Sequence, residues 1–365
     1  MIYKPLGQTG KTISAMGFGV MRFPPEVYKK DHQACVDVLL RAHELGVNYF
    51  DTAPGYCEGH SEQIIGKAME QIQGKKPYVS TKCGLWNADT AQGAYDEVRR
   101  ARDVLRVDTI DVYHMWCVKS MEEYERMIAP GGIYEGILRA KEEGLITHIA
   151  ASVHTGGDDT AKVVADGKVE LITLGYNAIN FALRREGLLA AHRAGLGTII
   201  MNPLGGGVIP KFAEMFSFLT RTPDESVIHA ALRFLIGQKE VTAALPGPAN
   251  MAELEDCVRA CAYAEEVTEA YLAQLSVHLR DELDTLCTGC GYCEPCPVDV
   301  PIVRLLSAYN QYLVSMDKSE LRQFMTGWYS LSPADAGGCT ACGLCEERCT
   351  QKLPIVERLQ EMSGL

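Results

Sequence analysis

The sequence predicts an α/β fold: a (β/α)8 TIM barrel followed by a small, cysteine-rich helical domain. Three observations carry this. Eight short apolar runs, at residues 15–20, 48–52, 78–82, 110–116, 146–152, 171–174, 198–201 and 242–245, alternate with amphipathic stretches such as 33–43, 61–69, 95–105 and 227–235. No GxGxxG follows the first run: Gly17 and Gly19 begin one, but Met21 and Arg22 come next. That weighs against the rival, a doubly wound sheet. Eight of the 14 cysteines fall in two tight groups near the end of the 365-residue chain.

In chain order, Gly7 and Gly10 between short extended runs predict a hairpin closing the barrel floor. The barrel is expected over residues 1–264. An acidic helical connector, carrying Glu265, Glu266, Glu269, Asp281, Glu282 and Asp284, is expected over 265–284. The cysteine-rich domain follows over 285–365. Within it, Val303, Leu305, Leu306, Tyr309, Tyr312 and Leu313 recur at helical spacing, and Leu321, Phe324, Met325 and Trp328 repeat the pattern. This domain is therefore expected to be helical.

Composition narrows the function. The net charge is −12, from 35 basic and 47 acidic residues, and there is no basic cluster, so nucleic acid is not an expected partner. No run of 18 apolar residues occurs, so no membrane span is expected. The first residues, MIYKPLGQTG, lack the apolar core of a secretory leader.

The first cysteine group is Cys287, Cys290, Cys293 and Cys296, followed by Pro297; the second is Cys339, Cys342, Cys345 and Cys349. Successive two-residue gaps wrap three thiolates around one face of an iron–sulfur cube, and the fourth ligand comes from a distance. A pair of zinc ribbons is the rival, but those pair one CxxC with another far away rather than placing four cysteines in ten residues. The spacing resembles the bacterial two-cluster ferredoxins. Carried over, that resemblance gives one 4Fe–4S cluster to Cys287, Cys290, Cys293 and Cys349, and the other to Cys339, Cys342, Cys345 and Cys296. Two departures stand out: the first group closes with a two-residue gap where three is usual, and Thr350 stands where a proline is usual. The expected fold is thus a TIM barrel with a C-terminal α-helical ferredoxin-like iron-sulfur domain. Iron–sulfur chemistry implies a reducing compartment, so a cytoplasmic location is expected.

Catalytic groups of a barrel lie where strands end and loops begin. Here the second run ends Asp51-Thr-Ala-Pro-Gly-Tyr56 and the third ends Ser80-Thr-Lys82-Cys-Gly84. A lysine beside a tyrosine lowers the phenol pKa and makes it a proton donor to a carbonyl oxygen, while an aspartate keeps the lysine charged.

These stretches, residues 51–67 and 79–84, with Tyr176-Asn177, Asn202-Pro203-Leu204 and Pro246-Gly247, closely resemble the aldo/keto reductases over residues 1–264. The more particular resemblance is to the subgroup with a C-terminal two-cluster ferredoxin-type domain. It implies that Tyr56 is the general acid, Lys82 its pKa modulator and Asp51 the lysine's partner. The family's fourth catalytic residue, a histidine, is replaced by Trp116, leaving His114 one layer deeper and His154 at the barrel top as stand-ins.

The resemblance places nicotinamide contacts at Ser152, Asn177, Met201, Pro203, Leu204, Gly205, Gly247 and Glu253. Several depart from the family: Val153 and Thr173 replace carboxamide-binding residues, and Met201 replaces the stacking tyrosine. Glu253 stands where a basic residue meets the adenosine phosphate, which disfavours NADPH and leaves NADH open. Gly205-Gly206-Gly207 offers backbone N–H groups to a phosphate. Cys57, Cys83 and Cys117 directly follow barrel-top positions and read chiefly as small packing residues.

The expected function is an iron–sulfur oxidoreductase. It acts on a small carbonyl- or alcohol-like substrate with electrons passed through two 4Fe–4S clusters, and a ferredoxin-like protein is the expected electron partner. The alternatives are an NADH-dependent carbonyl reductase with a structural ferredoxin domain, and a non-catalytic electron-transfer module.

Overall fold

The computed structural model describes residues 1–263, 265–280, 286–287, 291–315, 317–328, 330–349 and 351–365. By its internal contacts the chain divides into two compact units: residues 1–204 with 219–267, and residues 205–218 with 268–365.

The first unit is the barrel. Strands β1 (Tyr3–Pro5) and β2 (Thr12–Ser14) form an antiparallel hairpin. Eight parallel strands follow: β3 (Phe18–Gly19), β4 (Tyr49–Asp51), β5 (Tyr78–Cys83), β6 (Ile110–Val118), β7 (Ile146–Val153), β8 (Leu171–Gly175), β9 (Gly197–Met201) and β10 (Ala243–Leu245). They pair in sequence order, and a parallel bridge between Met16 and Ala244 joins the ends. Each run read from the sequence is a strand of this barrel. The strands are enclosed on both faces, so they read as apolar runs rather than as alternating patterns.

The hairpin lies at the floor. Leu6 and Ile13 share a buried cluster with Tyr49, Val112, Leu171 and Ala243. Lys4 anchors it, its ammonium donating to the carbonyls of Ile236, Gln238 and Val241 at 2.6, 3.1 and 2.7 Å. Gly7 must be glycine: its φ is +54°, and a Cβ there would lie 2.3 Å from the Gly197 nitrogen.

The helices follow their own periodicity. In Ala91–Leu105, Ala94, Tyr95, Val98, Ala101 and Leu105 form the buried stripe, and the Thr90 hydroxyl caps the start by accepting from the Gly93 N–H.

The second unit is helical. Its main elements are Glu269–Arg280, Ile302–Ser315, Lys318–Gln323, a π-helical turn at Phe324–Trp328, and Ile355–Ser363. Leu305, Leu306 and Tyr309 of the first apolar pattern and Leu321 and Met325 of the second share a core with Cys287, Cys293, Cys345 and Cys349. The connector's Asp281, Glu282 and Asp284, and Cys290 of the first cysteine group, lie outside the described residues. The glycine turn Gly205–Gly207 belongs to this second unit, all three residues having positive φ. No helix among the described residues is long and apolar enough to cross a membrane.

Candidate active site and cluster ligands

Residues on one face of β5 meet the end of β4. Ser80 lies opposite Asp51 in the parallel register, and Lys82 is two residues on, so both point inward. The Lys82 ammonium donates to both Asp51 carboxylate oxygens at 2.7 Å and to the Thr52 carbonyl at 2.6 Å. The Ser80 hydroxyl donates to Asp51 Oδ1 at 2.6 Å. Lys82 is 1 % exposed and Asp51 4 % exposed. Thr81 points the other way, to buried Glu62, which Arg100 neutralises at 2.7 Å.

Tyr56 sits in the loop after β4. Cys57 and Glu58 hold φ of 50° and 52°, and Gly59 follows at 89°. Two non-glycine residues in the left-handed region cost about 1–3 kcal/mol each, a strain that persists only where the surroundings impose it. Here Lys29 pairs with Glu58 at 2.7 Å, and Thr52 and Ser61 share a 2.5 Å hydrogen bond at the loop's base. The Lys82 Nζ lies 5.2 Å from the Tyr56 ring centre.

The expected lowering of the Tyr56 pKa does not occur. Burial of its hydroxyl end and the nearby Asp51 charge push it up instead, opposed by Arg22. The three Lys82 protons go to Asp51 and Thr52. Tyr56 is therefore a protonated phenol at neutral pH.

His114 faces Lys82 across the β5–β6 register. It is fully buried, and both its nitrogens are engaged: Nδ1 with the Thr81 carbonyl at 3.2 Å and Nε2 with the Thr173 hydroxyl at 2.8 Å. A carbonyl only accepts, so Nδ1 carries the hydrogen and Nε2 accepts from Thr173. Burial and the Lys82 charge push its pKa down to about 4, so it is neutral. His154, after β7, is buried too; its backbone N–H donates to the Val118 carbonyl at 2.8 Å, and burial and Arg184 hold its ring neutral.

Trp116 lies in a bulge, where the β6–β7 register shifts between Met115 and Val118 and Cys117 takes a φ of 64°. Its ring meets Tyr56 edge-on at 5.8 Å and Trp86 at 4.7 Å. An indole pair thus walls the tyrosine where the family has a histidine.

Several of the expected nicotinamide contacts have partners within the protein. Ser152 Oγ lies 3.9 Å from the Met201 sulfur. Asn177 donates to the Asn202 carbonyl at 3.0 Å and accepts from the Ile179 N–H at 2.9 Å. Pro203 is buried and Leu204 half-buried. Glu253 caps the helix Met251–Ala260: its carboxylate accepts from the Ala249 N–H and the Asn250 side chain, each at 2.8 Å. At Gly247 a Cβ would lie 3.0 Å from the Arg22 side chain. Arg22, next to both Tyr56 and Gly247, is an exposed cation that the sequence alone did not single out. Cys57, Cys83 and Cys117 are all buried.

In the second unit, Cys293, Cys296, Cys339, Cys342 and Cys345 line one pocket together with Thr340 and apolar side chains. Its only soft donors are sulfurs, and its described wall has no histidine or carboxylate. That donor set suits an iron–sulfur cluster. Among the described residues no three His, Cys, Asp or Glu side chains converge on the position of a single metal ion. The Cys339 sulfur accepts from the Ala341 N–H and the Cys349 sulfur from the Leu353 N–H, each at 3.4 Å. Cys342 is exposed, and Cys296 and Cys339 are half-buried. Cys287, Cys293, Cys345 and Cys349 are buried. Asn310 clamps Cys287 through both backbone groups, at 2.8 and 2.7 Å.

A barrel with an Asp–Lys pair beside a strand-end tyrosine, joined to a domain with a cysteine-lined pocket, defines an oxidoreductase with an iron–sulfur module. Comparison with known proteins makes this specific: the chain belongs to the aldo/keto reductase family, whose model matches residues 15–276. A 4Fe-4S dicluster domain matches residues 286–353. The chain is 29% identical over 225 residues to the NADH-specific methylglyoxal reductase of Escherichia coli, covering 56% of this chain and 68% of that one. It is 24% identical over 292 residues to L-galactose dehydrogenase of Arabidopsis thaliana, covering 72% and 89%. An aldo-keto reductase of Bacillus halodurans, solved in its holo form, shares the fold with a TM-score of 0.63 at 20% identity, covering 77% of this chain and 96% of that one.

Proposed function

We propose that the chain reduces or oxidises a small carbonyl- or alcohol-like substrate in the barrel, with electrons exchanged through two 4Fe–4S clusters. The observation that carries this reading is the cysteine-lined pocket, present in one chain with Asp51, Lys82 and Tyr56. One cluster would be held by Cys287, Cys290, Cys293 and Cys349, the other by Cys296, Cys339, Cys342 and Cys345. Each cluster, when bound, would supply one electron at a time; a carbonyl becomes its alcohol with two such electrons and two protons, one passed from Tyr56 to oxygen and one taken from solvent by carbon.

The chain's own residues do the rest. Tyr56 holds the proton that a reduced carbonyl oxygen takes up, and the Trp116 ring beside it excludes water. Lys82 places a fixed positive charge beneath Tyr56, where negative charge develops on oxygen. Asp51 keeps that lysine charged. Trp116 and His154 frame the barrel mouth, and the neutral His114 positions Lys82's surroundings from below.

Glu253 supports the expectation that NADPH is disfavoured. Its carboxylate occupies the helix start that an adenosine phosphate would approach. A second reading, NADH-dependent carbonyl reduction, is favoured by the NADH-specific Escherichia coli relative and by Arg22 beside Gly247 as a cation for a dinucleotide phosphate. The two readings separate in one experiment. Oxygen-free protein is assayed for iron and sulfide, then for carbonyl reduction with a reduced ferredoxin and with NADH. Turnover with ferredoxin alone supports the first reading. Turnover with NADH that survives loss of the clusters overturns it.

A further inference from the structure

Arg358 is the one arginine of helix Ile355–Ser363 and is only 4 % exposed. Its guanidinium lies 5.1 Å from the centre of the Tyr309 ring, and Tyr309 is held in turn by a hydrogen bond to Glu361. The residue after Tyr309 is Asn310, which clamps Cys287 from both sides. Arg358 is thus fixed over the helical turn that seats Cys287. The loop bearing Cys349 leads into the same helix, through the Leu353 N–H on the Cys349 sulfur.

The buried Nη1 of Arg358 has no hydrogen-bond partner, and no carboxylate among the described residues pairs with it. An arginine cannot shed its charge in response. A buried, unpaired guanidinium is costly unless something anionic sits beside it. Cys287, Cys349 and Tyr309 lie in one buried core with Ile355, Leu359 and Met362 of the helix that carries Arg358.

We propose that Arg358 is the charge-compensating, positioning residue of the buried cluster held in part by Cys287 and Cys349, and that it keeps this cluster reducible. This rests on the ligand set proposed above. One-electron reduction adds one negative charge to the cluster, breaks no bond and leaves Arg358 protonated. In the test the electron comes from dithionite. Burial alone disfavours that extra charge, and the adjacent cation offsets it. The other set has an exposed ligand, Cys342, so water performs this role there.

The test is an EPR-monitored potentiometric titration of full-length, oxygen-free protein, with iron and sulfide counted in each sample. In Arg358→Gln one of the two couples shifts to lower potential by tenfold or more in its reduction equilibrium, about 59 mV for a one-electron step. The other couple stays in place. Arg358→Lys keeps the charge and retains at least half of the wild-type advantage. Unmoved couples in a fully loaded Arg358→Gln protein, or an equal fall in Arg358→Lys, overturn the proposal. If Arg358→Gln fails to load, the wild type labelled with 15N-arginine decides. Pulsed EPR of its reduced clusters shows a 15N coupling that Arg358→Lys removes, and no such coupling in loaded wild type overturns the proposal. Wild-type protein without iron and sulfide overturns the cluster reading itself, and the role of Arg358 with it.

Discussion

The two units each bury a cation, and they treat it in opposite ways. Lys82 gives all three protons to groups of the barrel, two to Asp51 and one to Thr52. Arg358 keeps a buried N–H unused and leans on a tyrosine ring. The first charge is complete within the polypeptide, so the barrel site is preorganised. The second has a buried Nη1 without a partner among the described residues, which is the observation behind the proposed role of Arg358. What sets Arg358 apart from barrel arginines such as Arg100 and Arg233, which also leave one buried nitrogen unused, is that those two pair with Glu62 and Glu225.

The largest effect comes from breaking the first cation. Lys82→Met leaves Asp51 buried without its partner, with only the Ser80 hydroxyl to stabilise it. The expected loss is about 3–5 kcal/mol of stability, together with activity, read by denaturant unfolding and turnover. Unchanged unfolding would mean that the pair is not closed as described. Tyr56→Phe sharpens the comparison by leaving the ion pair whole. It should keep the unfolding midpoint and lower kcat by about 10²–10⁴-fold, the usual worth of a positioned acid. A mutant with near wild-type kcat would remove Tyr56 from the chemistry.

The smallest effect is a pH dependence. Unfolded His114 takes a proton near its ordinary 6.5, while folded His114 refuses one until about 4. Between those values the unfolded state binds more protons, so stability falls as pH drops through that window and is full above it. The contribution is on the order of 3 kcal/mol at most. His114→Gln should flatten this part of the acid limb in a series of unfolding curves, and an unaltered slope would show that His114 titrates normally in the fold.

Much of this was legible in the sequence because buried parallel strands announce themselves as apolar runs. Polar residues inside one, Ser80-Thr81-Lys82, then stand out as a site. The capping contacts of Glu253 were not read from the sequence, which marked it only as a departure at the cofactor site. Other features were hidden. Arg358 looks like any charge on an amphipathic helix until tertiary packing covers it. Nothing local shows that Lys82's protons are spoken for, since Thr52 contributes only its backbone carbonyl. The bulge at Cys117 depends on the pairing of two strands, and a single strand's sequence does not display it. Residues 205–218 follow a barrel strand yet cluster with the C-terminal unit, a grouping set by long-range contacts.

The placement of Trp116 has a practical consequence. The protein has three tryptophans, and two of them, Trp86 and Trp116, are in ring contact beside Tyr56. Emission from the barrel therefore originates close to Tyr56. A molecule that lodges there changes the polarity around an indole pair and quenches or shifts its light. The chain carries a native optical probe of its own barrel mouth, with which collections of carbonyl compounds can be screened for binding before any electron donor is known.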